Sequence, residues 1–158
     1  MKTTLIAAAF AGLLATPVLA ESQFELVDPY AISAGAAAKA GAAFFTIRNT
    51  GDTDDVLIGI ESDVAPMVQL HTHIMEDGIA KMRQIEGGIA IPAGGEHILE
   101  RGADHVMFMG LKGGFTDGEI IHATLHFESG ASLEVEIPVD QDHDTMPAMD
   151  HGAMDHNN

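Results

Sequence analysis

The segment HTHIMEDGIAKM, His71 to Met82, sets two histidines and two methionines around an Asp-Gly pair, and HVMFM, His105 to Met109, repeats the chemistry. On a β-strand, residues two apart share a face, so His71, His73 and Met75 stand together while Leu70 and Ile74 point the other way. His105, Met107 and Met109 separate from Val106 and Phe108 in the same manner. Thioether sulfur is soft and uncharged: it takes Cu(I) well and Zn²⁺, Mg²⁺ or Ca²⁺ poorly, while imidazole suits copper in either oxidation state. A His/Met cluster without thiolate or carboxylate therefore points to copper, preferably cuprous. Core filling is the plainer reading, since Met is a flexible gap filler. On that ground Met67, Met75 and Met109 are assigned to packing or rim rather than to a metal.

These donors need strands to carry them. Short runs with alternating apolar residues recur between Gly, Pro, Asp and Asn clusters, at 23–32, 42–49, 55–62, 67–75, 79–85, 95–100, 105–111, 118–127 and 132–139. Such spacing predicts an all-β chain, an antiparallel β-sandwich or barrel. Only AGAAAKAGAA, 34–43, hints at helix, and its glycines weaken that hint. If Asp77-Gly78 forms a two-residue hairpin loop, Met82 lies opposite His73 and Gln84 opposite His71. A three-residue loop would send Met82 to the other face. The local pattern leaves open whether His71 or His73 partners Met82.

Composition narrows the function. The chain has 24 Asp+Glu against 7 Lys+Arg, a formal net charge of -17. Nucleic acid and anionic lipid are disfavoured as partners, and cations are attracted. There is no Cys, which excludes thiol redox chemistry, cysteine nucleophiles, Cys-ligated zinc and thiolate-dependent blue copper. Met1-Lys2, the apolar run LIAAAFAGLLA and the small-residue site VLA read as a signal peptide over 1–20, cleaved after Ala20. The expected organisation is then a folded domain over 21–139 and, from Asp140, a disordered His/Met/Asp-rich tail over 140–158. Export would place the mature chain in the periplasm, with no stable membrane insertion.

The order His71, ten residues, Met82, twenty-two residues, His105-x-Met107 resembles the ligand pattern of the periplasmic copper chaperone family PCuAC. The surrounding VQLH, KMRQI, IPAGG, MGLK and TLHFESG segments match as well, so the resemblance spans most of 24–139. It implies a cupredoxin-like antiparallel β-sandwich of Greek-key type that binds one Cu(I) at its surface through His71, Met82, His105 and Met107. It also favours His71 over His73 as the partner of Met82, leaving His73 a neighbour or an alternative donor. The family's usual role, copper delivery toward cytochrome c oxidase assembly, implies as partner the oxidase copper-site subunit or a thiol-containing assembly protein. A monomer is expected.

Ligand exchange of this kind needs neither catalytic base nor nucleophile, and no Ser-His-Asp or paired-carboxylate arrangement stands out, so the chain reads as a carrier rather than an enzyme. Exported oxidative copper enzymes are the enzymatic rival, but those that use an N-terminal His do not fit a mature chain starting at Glu21. Copper buffering without a dedicated oxidase acceptor is the second rival, and a metal-independent β-sandwich module the third. His122 and His126 are expected to face solvent, and His97 to be exposed beside Glu96. In the tail, His143, Met146, Met149, His151, Met154 and His156 alternate with aspartates, a composition suited to weak capture of Cu(II) by imidazole or Cu(I) by sulfur.

Overall fold

The computed structural model describes residues 23–143. The expected leader, 1–20, and the tail residues Met146, Met149, His151, Met154 and His156 lie outside the described residues. Ten strands follow in order: β1 (Phe24–Ser33), β2 (Ala40–Asn49), β3 (Asp55–Glu61), β4 (Met67–Glu76), β5 (Ile79–Gln84), β6 (Ile89–Ile91), β7 (Glu96–Leu99), β8 (His105–Met109), β9 (Ile120–Phe127) and β10 (Ser132–Pro138). Alternation explains most of them: on β9, Ile121, Ala123, Leu125 and Phe127 are buried while His122 is exposed. Among the described residues no helix is long and apolar enough to cross a membrane.

The strands form two sheets. One runs β1-β2-β8-β4-β5, with β7 also paired to β2, and the other runs β10-β9-β3-β6. All strand pairs are antiparallel. The chain crosses between the sheets at β2–β3, β3–β4, β5–β6, β6–β7 and β8–β9, so sequence neighbours are often not sheet neighbours. Between the sheets lies a core that includes Ile47, Leu57, Leu99, Val106, Phe108, Leu125 and Ile137. Phe24 of β1 stacks on Phe127 of β9 with ring centroids 3.7 Å apart, tying the sheets together.

Three local readings need correction. Ile89–Ile91 is a tenth strand, too short to show a period. The stretch hinting at helix instead bends and turns over 34–39 and then enters β2. Gly41 explains why an Ala-rich run is interrupted there: a Cβ at that position would collide with the Phe115 ring. Finally, the first residues assigned to the tail are docked. Val139 bridges Ala31 in parallel, Asp140 donates its N–H to Ala31 O at 3.1 Å, and Gln141 Oε1 accepts Ser33 N–H at 3.1 Å.

Candidate metal centre

The β4–β5 hairpin turns through Asp77 (φ 52°) and Gly78 (φ 78°). Two successive positive φ values are what a two-residue type I′ loop requires, and its twist matches that of the strands. The register follows: His71 faces Gln84 and His73 faces Met82. Direct pairing of Met82 with His71, favoured by the motif resemblance, is therefore corrected; the two-residue loop puts His71 one diagonal step away on the same face. On its other side β4 pairs β8, with His71 opposite His105 and Gln69 opposite Met107. Leu70, Val106 and Phe108 are buried in the core, so His71, His73, Met82, His105 and Met107 all stand on the outward face of this sheet.

Hydrogen bonds orient the imidazoles. His105 Nδ1 lies 3.0 Å from Ala103 O and His73 Nδ1 lies 3.4 Å from the same oxygen. A carbonyl only accepts, so both rings carry the proton on Nδ1 and keep the Nε2 lone pair free. His71 is turned the other way: Nε2 is 3.0 Å from Gln69 Oε1, and its buried Nδ1 has no hydrogen-bond partner. An orphaned, buried acceptor is costly in a folded protein unless something electrophilic satisfies it. The rings also lie close together, His71 to His105 at 6.0 Å and His73 to His105 at 5.1 Å between centroids.

Electrostatics keep the donors neutral. Burial, and then the neighbouring His105, push His71 below the ordinary histidine range. At His105, burial pushes the ring down most strongly, with His73 adding to it, against the opposing pull of the Ala103 carbonyl and Asp104; it too ends below the ordinary range. Neutral imidazoles at pH 7 have lone pairs ready for a metal. His73, Met82, His105 and Met107 line a shallow concavity of about 500 Å³ together with Phe44 and Arg101. His105 is 3% exposed at its floor and Met82 49% exposed at its lip. Among the described residues, no three His, Cys, Asp or Glu side chains are arranged to hold a metal. A centre here depends on the sulfurs of Met82 and Met107, a donor set that fits a soft monovalent ion.

Other histidines are engaged elsewhere. His122 and His126 lie on the opposite sheet beside Glu136 (3.7 Å) and Glu61 (3.3 Å). His97, expected to be exposed, is half-buried and pairs with Asp104 at 2.9 Å, while Glu96 pairs with Arg48. His143, grouped with the tail donors by sequence, stacks on Tyr30 at 3.8 Å, with Nδ1 3.2 Å from Asp140 and Nε2 3.3 Å from Asp28. Both of its nitrogens are occupied because the docked chain after Val139 delivers the ring against β1. Met67 and Met75 are exposed, which makes them rim rather than packing. Sequence reasoning missed Ala103, Gln69 and Arg101. A backbone carbonyl leaves no side-chain signature, whereas Gln69 shares the face of His71 by strand period.

Comparison with known proteins adds lineage to this geometry. The LpqE-like lipoprotein family model matches residues 24–139. The chain belongs to the LpqE-like family. This LpqE-like chain is also 32% identical over 147 residues to Lxx21020 of Leifsonia xyli subsp. xyli (strain CTCB07), a protein named as a lipoprotein, covering 88% of this chain and 89% of that one. Among solved structures it is similar to the apo PCuAC domain from PmoF1, with TM-score 0.62 and 18% identity, over 76% of this chain and 95% of that domain. It is similar as well to DR1885 from Deinococcus radiodurans. The apo form matches with TM-score 0.59 and 27% identity, over 89% of this chain and 94% of that one. The CuI form matches with TM-score 0.55 and 31% identity, over 73% and 78%. The PCuAC resemblance and the cupredoxin-like β-sandwich expected from it are borne out.

Proposed function

We propose that this LpqE-like chain is an exported copper chaperone that binds Cu(I) through His71, Met82, His105 and Met107 and delivers it toward cytochrome c oxidase assembly. The observation that carries the reading is the buried, unpartnered Nδ1 of His71 beside His105, on the same sheet face as two thioethers. The CuI form of DR1885, 31% identical, supports copper as the ion. Neutral ligands at the lip of a shallow concavity suit a cargo that must leave: an acceptor thiolate can replace Met82 sulfur first, because the thiolate is the stronger soft ligand. Transfer then proceeds by ligand exchange. In this reading 1–20 directs export to the periplasm, 21–139 is the carrier domain, and 140–158 recruits Cu(II) through residues such as His151 and His156.

The test begins with anaerobic titration of the full chain with Cu(I) against a competing chelator, repeated with Met82→Leu and Met107→Leu. One equivalent bound by mixed sulfur and nitrogen donors, lost in both variants, supports the folded centre. Retention of the full affinity by both variants removes it. Delivery is tested in cells: loss of oxidase assembly at limiting copper when the gene is deleted supports a chaperone, and sensitivity only at excess copper assigns buffering instead.

A further inference from the structure

Five donors share one sheet face, yet a Cu(I) centre built on the four-residue motif uses only four. His73 is the remainder, and its surroundings resemble those of His105 more than those of a bystander. Both rings give Nδ1 to the single oxygen of Ala103, so both keep Nε2 available. His73 stands directly opposite Met82 in the hairpin register and lines the concavity with Met82, His105 and Met107. His71 is not part of that lining. An imidazole nitrogen sits about 2.0 Å from a bound first-row metal, so two rings on one ion have centroids roughly 4.5 to 6 Å apart. The 5.1 Å between His73 and His105 falls within that range, as does the 6.0 Å between His71 and His105.

We propose that His73 is a copper donor in its own right: with Met82 and His105 it holds Cu(I) on the open side of the concavity, and His71 holds it on the buried side. This rests on the Cu(I) reading above and adds to it a second imidazole position that the ion reaches without leaving the protein. A closed-shell ion imposes no ligand-field geometry, so exchange of one imidazole for the other needs no rearrangement of the sheet. The other histidines of the described residues offer no such alternative: His97, His122, His126 and His143 each meet a carboxylate, and none of them lines the concavity of Met82 and Met107.

The proposal is tested on the full chain by Cu(I) chelator competition with His73→Gln, His71→Gln and the double variant, Gln preserving a donor to Ala103 O or Gln69. Two interchangeable imidazoles make each single loss small. The double variant should then lose affinity beyond the product of the single effects by about tenfold or more. In parallel, ¹⁵N imidazole spectra of the unsubstituted chain are recorded as Cu(I) is added, and His73 Nε2 should shift with the first equivalent. If the His73 ring signal stays fixed and His73→Gln changes nothing in either background, while Met82→Leu still weakens binding, His73 is a bystander and the four-residue centre stands. If Met82→Leu and Met107→Leu are also without effect, the Cu(I) reading itself fails.

Discussion

Under the proposed function, Met82 and Met107 decide which ion the concavity prefers, because the imidazoles beside them serve Cu(I) and Cu(II) alike. Met107→Leu keeps the volume and removes the soft donor, so it should weaken Cu(I) by more than Cu(II); parallel competition titrations of the two ions check this, and equal losses count against a thioether ligand. His71 and His105 set the pH dependence. Both are held below the ordinary histidine range when folded, so the unfolded chain takes up their protons first as pH falls. Their contribution to apo stability is present in full above the unfolded value of about 6.5 and is lost as pH drops toward the folded values. Cu(I) affinity, which depends on the folded rings, should accordingly stay flat from pH 8 to below the ordinary histidine value of about 6.5 and decline only in more acid solution, with His105→Gln flattening the acid limb; titration through that region decides it. The gathering of these His and Met side chains on one face was legible in the sequence from their period-two spacing on β4 and β8, although packing was the plainer reading of the methionines. The shared acceptor, Ala103 O, was not, since tautomer control by a backbone oxygen depends on where a loop comes to rest.

At the scale of elements, the β4–β5 hairpin determines which donors meet. Its register was readable once Asp77-Gly78 was taken as a two-residue loop, and the motif resemblance pointed to the other partner because a spacing of ten residues does not state a cross-strand pairing. Gly78 holds φ 78° with nothing near its missing Cβ, so Gly78→Ala strains the turn's own backbone without a clash against any other residue. It should cost about 1 kcal/mol of unfolding free energy by denaturant titration, and it should weaken Cu(I) by displacing Met82 against His73. On the back of the hairpin Glu76 pairs with both Lys81 and Arg83, a polar surface on an edge strand that discourages pairing with another chain. β6 stayed hidden from sequence because three residues carry no measurable period. The docked Asp140–His143 segment stayed hidden because its anchors, Ala31, Ser33 and Asp28, lie far away in sequence.

For the molecule as a whole, one sheet carries the donors and the other closes the core beneath them. Ile121→Val, a fully buried change on β9 of the opposite sheet, should lower unfolding free energy by about 1 kcal/mol and leave Cu(I) affinity unchanged; denaturation and chelator competition on the same sample separate the two. A matching drop in affinity would mean the core tunes the centre. The antiparallel all-β class was legible from strand count and alternation, and the family resemblance chose the sandwich over a barrel, whereas the sheet order was not legible, because β2 pairs β1, β7 and β8 and only the first is its sequence neighbour. That order has a consequence in time. His105 and Met107 arrive on β8, which pairs with both β2 and β4 across long stretches of chain, and such non-local pairing is slow, on the order of milliseconds to seconds. During that interval the newly made chain offers scattered sulfur and nitrogen with no floor or lip around them. Under the proposed function, copper that arrives early meets a string of loose donors, and copper that arrives after β8 has docked meets a centre.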